Sequence, residues 1–250
     1  MSLLVTAALI PAIVLMCYVY NKDKIEKEPP GLIFRLFLFG ALSTFAAMAG
    51  ELALTKVLDL FLPANSLAYV AVDNFIVVAL IEEFCKRFVA KRGTWNHPAF
   101  NFRFDAIVYA VSAALGFAAL ENVLYVLSYG FGTALTRAVL SVPLHAFCGV
   151  FTGLYLGQAK ACEIVGNLRG KKAALAKSLW IPVLMHGFYD YCLSVEGWYF
   201  TVLFLAFVVV MYVVSFRTIN KSAREDCPLA ANWNAPFYNY DAVNPYSRMR

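Results

Sequence analysis

The sequence predicts an all-α protein, a polytopic membrane helix bundle of about seven transmembrane helices with its N-terminus outside and its C-terminus in the cytoplasm. Three observations predict this. Of the 250 residues, 61% are hydrophobic and only 15% charged, and the mean hydropathy of +0.66 lies far outside the range of soluble domains. Apolar stretches near the length that spans a bilayer, about 20 residues, recur along the whole chain. Lysine and arginine fall almost entirely into alternate connections, which sets the orientation.

The stretches run over residues 2–20, 32–50, 68–89, 105–128, 134–159, 176–195 and 197–217. The first has no basic residue before it and no small-residue cleavage site after it, so it reads as a retained helix rather than a signal peptide. The loop NKDKIEKEPPG ends it, and Pro29 and Pro30 stand where the second helix can begin. Residues 51–66 read as a semi-polar outer connection. Residues 91–105 form an inner loop whose Trp95, Phe100, Phe102 and Phe104 suit the headgroup region. From Thr218 the chain turns polar, and residues 218–250 read as a cytoplasmic tail, disordered or lying at the interface.

Basic clusters follow the first, third, fifth and seventh helices, and the opposite side keeps only Lys56 and Arg137. Seven spans satisfy this parity. The net charge of +5 is then an orientation signal and an attraction to anionic lipid, and no basic stripe with stacking aromatics points to nucleic acid. Six cysteines without a CxxC pair argue against a disulfide framework. The absence of GxSxG, Walker and HExxH motifs removes serine hydrolases, P-loop enzymes and zincins.

Ionisable residues inside spans are costly and mark function. Glu82, His145 and His186 fall near the centres of the third, fifth and sixth helices. Glu121 lies about 7 Å from the middle of the fourth at 1.5 Å per residue, displaced outward, and Asp190 is displaced the same way. Four-residue spacing puts His186 with Asp190, Glu82 with Lys86 and Glu83 with Arg87 on common faces. Taken singly these are ordinary intramembrane ion pairs and interhelical hydrogen bonds. Taken together, three carboxylates and two imidazoles near one level are expensive in a purely structural bundle. Two chemistries fit them: a zinc-like divalent metal that activates a bound water, or a buried glutamate that is itself the general base. The residues leave both open.

EEFCK (Glu82, Glu83, Lys86), FAALE (Phe117, Glu121), HAFCG (His145, Gly149) and HGFYD (His186, Asp190) follow one another on successive spans. This pattern resembles the PrsW family of intramembrane proteases, relatives of the CAAX prenyl endopeptidases and Abi proteins, over roughly residues 20–195. LENVLY and EPP match as well. The resemblance implies a transmembrane protease domain over residues 1–217 in the cell membrane, hydrolysing a membrane-anchored, anti-sigma-factor-like protein in site-1 regulated proteolysis. It implies Glu82 as the water-activating base, Glu83 as a second carboxylate held by Arg87, and His145 and His186 on the metal or oxyanion. Glu121 stands where CAAX endopeptidases have histidine, as a third candidate ligand, and Asp190 where they have asparagine. Lys86, Arg87 and Asn122 are supporting residues. Two other functions use the same residues: a proton- or cation-coupled transporter, whose relay they would form, and a non-catalytic scaffold of the same superfamily.

Overall fold

The computed structural model describes residues 2–64 and 66–229. Those residues are mostly helical, with no strand among them: α1 (Ser2–Lys22), α2 (Pro30–Phe61), α3 (Leu67–Val72), a π-helical segment (Asp73–Ala79), α4 (Leu80–Thr94), α5 (Asp105–Tyr129), α6 (Phe131–Val139), α7 (Ser141–Ile164), α8 (Leu168–Ser194) and α9 (Trp198–Arg224). The expected helix-rich membrane bundle is present, with α5 at its centre. Every residue from Asp105 to Ala119 is buried, against α2 on one side and α7 on the other. Such close packing needs bare backbone: a Cβ on Gly40 would strike the Ala113 carbonyl, and one on Gly116 the Phe37 carbonyl. Large apolar side chains instead cover the outer faces, Phe34, Phe45 and Leu60 on α2 and Val209 on α9 among them.

Several boundaries differ from the sequence reading, each for a physical reason. The second helix continues through Glu51 to Phe61, because no helix breaker occurs before Pro63. Residues 51–61 are therefore helix, not connection. The third stretch changes hydrogen-bond pattern at Asp73–Ala79, where Leu80 N–H donates to the Phe75 carbonyl, one residue further back than in an α-helix. The Asn74 amide donates to the Val70 carbonyl at 2.7 Å and so competes with the backbone ladder at the entry. The last helix runs beyond 217 to Arg224, and the chain then returns to the α4–α5 loop: Leu229 N–H donates to the Asn101 carbonyl at 2.7 Å, and Leu229 is buried. Residues 230–250, the rest of the expected tail, lie outside the described residues.

Among the described residues, five segments are long and apolar enough to cross a membrane: α1 from Leu4, α2, α5, α6 with α7, and α9. The helices α4 and α8 are not among them: α4, which follows the π-helical segment, is only 15 residues long, and α8 carries Arg169, Lys171, Lys172, Lys177 and Asp190.

Prolines precede both histidine motifs, and each frees a backbone carbonyl four residues earlier. Pro143 frees that of Val139 and separates α6 from α7; the Tyr212 hydroxyl of α9 donates to it. Pro182 frees that of Ser178, and the Thr152 hydroxyl of α7 donates to it at 3.2 Å. In an apolar medium an unpartnered carbonyl costs several kcal/mol, so these hydroxyls make the breaks tolerable. Thr152→Val, close in shape but without the donor, should lower stability by about 0.5–2 kcal/mol, read as a reduced midpoint in denaturation of the detergent-solubilised protein.

Candidate active site

Four helices converge on one buried group of ionisable side chains. The paired glutamates of α4 point apart around the helix, yet both reach one cation. Lys86 Nζ lies 2.6 Å from Glu83 Oε1, 3.1 Å from Glu82 Oε2 and 2.9 Å from His145 Nδ1, 4.6 Å from the centroid of the Phe117 ring. Glu82, Glu83 and Lys86 are 6%, 1% and 3% exposed, so the lysine compensates two carboxylates that water barely reaches.

The two histidines hold the group together. A lysine ammonium only donates, so Nδ1 of His145 accepts from it and Nε2 carries the ring proton, 2.9 Å from Glu121 Oε2. Glu121 is fixed in turn by Arg137 at 2.8 Å. Arg137 Nε donates to Asn122 Oδ1 at 3.1 Å, and the Asn122 amide donates to the Ala8 carbonyl of α1 at 2.8 Å. His186 sits between two carboxylates, with Nδ1 2.9 Å from Glu83 Oε1 and Nε2 3.1 Å from Asp190 Oδ2. The imidazoles meet edge to face, with centroids 5.1 Å apart. Gly187, beside His186, leaves room for the Phe75 ring of the π-helical segment, which a Cβ there would enter.

The structure thus brings Glu82, Glu83, Lys86, His145 and His186 into direct contact, with Glu121 and Asp190 on the outer ring nitrogens and Asn122 beyond Arg137. Arg87 departs from expectation. It does not hold Glu83; its guanidinium reaches α8, with Nε donating to Ser178 Oγ at 2.7 Å and an NH2 group to the Leu175 carbonyl at 3.2 Å. Lys86 already satisfies Glu83, and Arg87 instead pins α4 to the helix that carries His186. The third histidine, His97, is remote from the group and accepts from its own loop, at Ala99 N–H.

A cavity of about 740 Å3 opens above the group, lined by Glu51, Glu82, Glu121, His145, His186 and Asp190 among others, and it extends to Ser128 and Tyr129 at the end of α5 and Ser194 at the end of α8. Glu83 and Lys86 are not part of its wall; they lie beneath Glu82. Glu51 was missed in the sequence because its helix was expected to stop at residue 50, although nothing between 51 and 61 breaks a helix. Its Oε1 is buried without a hydrogen-bond partner.

Glu82, Glu83, His145 and His186 each offer one atom within 4.8 Å of the others. Two carboxylates and two imidazoles match a zinc-class divalent ion in chemistry and number. Lys86 Nζ lies within hydrogen-bonding distance of three of these four residues, so a metal and the ammonium would compete for the same place. Glu121, expected as a ligand, stands on the opposite nitrogen of His145 and is outside the four-donor group; it orients the ring, as carboxylates behind metal-bound histidines do.

Fold and site define a membrane-embedded protein with a buried glutamate–histidine centre facing a polar cavity. The comparisons give the family: residues 28–216 match the model of the PrsW family intramembrane metalloproteases, and the chain belongs to that family. It is 36% identical over 223 residues to Protease PrsW of Halalkalibacterium halodurans, covering 89% of this chain and 98% of the relative. It is 37% identical over 204 residues to Protease PrsW of Geobacillus kaustophilus, covering 81% and 85%, and 33% identical over 223 residues to that of Bacillus subtilis, covering 89% and 96%. No solved structure shows a significant match. The protein is therefore an intramembrane protease, and neither the transporter nor the scaffold reading is favoured.

Removing Lys86 alone leaves both glutamates buried without a cation. Lys86→Met should cost about 3–5 kcal/mol, and adding Glu83→Gln should restore part of it, so that a double-mutant cycle of denaturation midpoints shows strong coupling.

Proposed function

We propose that this protease cleaves a membrane-anchored protein substrate near the outer boundary of the cell membrane, as the first, site-1 cut of an anti-sigma-factor-like protein, with Glu82 activating the attacking water. One observation carries the assignment of the base: Glu82 is the only member of the Glu82–Glu83–Lys86 trio in the cavity wall. Glu83 is then a positioning residue, which holds His186 and Lys86 from below.

The orientation supports the place of the cut. The cavity extends toward the ends of α5 and α8, which the distribution of lysine and arginine assigns to the outer side. Water can reach the scissile bond there without crossing lipid. A substrate helix would have to unwind locally to present a carbonyl to Glu82, and the polar wall offers partners for the backbone groups so released.

In the reaction, Glu82 takes a proton from the water that attacks the acyl carbon and returns it to the leaving amine as the C–N bond breaks. His186 lines the cavity with both ring nitrogens held, by Glu83 and Asp190, and so acts there through the fixed position and charge of its ring. Glu121 and Arg137 keep the His145 ring in one tautomer. A zinc-class ion, held by Glu82, Glu83, His145 and His186, would polarise the water and the carbonyl.

Glu82→Gln keeps the shape of the side chain but cannot take the proton. It should lower cleavage of a single-span substrate by about 100-fold or more without loss of the folded protein in detergent, and full activity in this variant would remove Glu82 as the base. Mass spectrometry of the wild-type products should place the cut in the outer half of the substrate span; a cut at the cytoplasmic end would overturn the proposed orientation of the cavity. Elemental analysis should find a zinc-class metal that leaves on chelation together with activity and returns on add-back.

A further inference from the structure

A second group of buried acids lies at the other end of α5. Asp23 and Glu28 come from the α1–α2 connection and Asp105 from the first turn of α5, and all three are buried at 2%, 2% and 1% exposure. One carboxylate oxygen of each lies within 4.8 Å of the others. Sixteen residues of α5 separate Asp105 from Glu121, about 24 Å at 1.5 Å per residue, so this group is no part of the proteolytic centre. We propose that Asp23, Glu28 and Asp105 form a structural site for a hard divalent cation of the calcium or magnesium class.

The donor set is all oxygen, which suits hard ions rather than zinc or copper. Glu28 Oε2 accepts from the Tyr109 hydroxyl, and Asp105 Oδ2 accepts from the N–H groups of Asn101 at 3.0 Å and Phe102 at 2.6 Å. Unlike Glu82 and Glu83, none of the three acids has a lysine or arginine in a salt bridge among the described residues. Carboxylate oxygens of Glu28 and Asp105 lie within 4.8 Å of each other in a buried place, an arrangement that needs either a proton or a cation between them. A shared proton would satisfy that pair alone. Asp23 would be left as it is, with Oδ2 buried and without a hydrogen-bond partner, whereas a divalent cation satisfies all three.

The position gives such an ion a purpose. It would tie the connection between the first two helices to the start of the central one, beside the α4–α5 loop on which the end of α9 docks.

The test uses the full-length protein in detergent with terbium(III) as a calcium probe, excited through tyrosine; Tyr109 touches the site. The wild type should give a saturable luminescence signal that calcium displaces. Asp23→Asn should abolish it, and Glu83→Gln, which alters the other cluster, should retain it. Calcium or magnesium should also raise the melting temperature of the wild type and of Glu83→Gln but not that of Asp23→Asn. The proposal is overturned if no saturable signal appears, if Asp23→Asn retains it, or if Glu83→Gln alone removes it. Should Asp23→Asn fail to fold, retention or loss of the signal in Glu83→Gln decides. Proteolysis enters none of these readouts, so failure here leaves the assignment of Glu82 untouched.

Discussion

The ammonium of Lys86 is the constraint around which the buried glutamate–histidine group is arranged. Burying an ion in a low-dielectric interior costs several kcal/mol even after relaxation, and α4 buries two carboxylates in succession. They are tolerable because Lys86 lies within 3.1 Å of both and of His145 Nδ1. That choice fixes the His145 tautomer, which directs Nε2 to Glu121, and Glu121 requires Arg137. On the other side Glu83 shares its oxygen with His186, which requires Asp190. Helices α4, α5, α6, α7 and α8 are thereby linked by one network of alternating charge, with Glu82 at its exposed edge.

The backbone solves a matching problem. To bring both imidazoles to one level, α7 and α8 carry prolines shortly before His145 and His186, and each proline leaves a carbonyl without its helical donor. The missing bonds are supplied from neighbouring helices, by Tyr212 and Thr152. Thr152 and Arg87 act on the same stretch of α8, one through the Ser178 carbonyl and the other through its hydroxyl. The segment that delivers His186 is therefore held from two sides.

Much of this was legible in the sequence, for identifiable reasons. Helix periodicity and the cost of charge in lipid were enough to single out Glu82, Glu83, Lys86, Glu121, His145, His186 and Asp190, and the structure brings these seven together. Side-chain reach was not legible. Four-residue spacing paired Glu83 with Arg87, but an i,i+3 contact with Lys86 is as short on a helix, and only packing shows that Arg87 is drawn to α8. Glu51 was lost to a boundary set by hydropathy, where the helix had no physical reason to stop. The π-helical turn at Asp73–Ala79 leaves no periodic signal in so apolar a stretch. The proximity of Asp23, Glu28 and Asp105 was not legible either, because it depends on how the α1–α2 connection folds back on α5.

The two ends of α5 meet the same physical difficulty in different ways. Both gather buried carboxylates from separate helices. Around Glu121 the fold supplies its own cations, Lys86 and Arg137. Around Asp105 the fold supplies backbone N–H groups and the Tyr109 hydroxyl, which are fixed donors and leave the net charge uncompensated. A centre that must change its charge during a reaction gains from mobile internal cations, whereas one that only anchors helices does not, and a bound ion can stay in place. The central helix, buried from Asp105 to Ala119, joins these two differently balanced groups of acids.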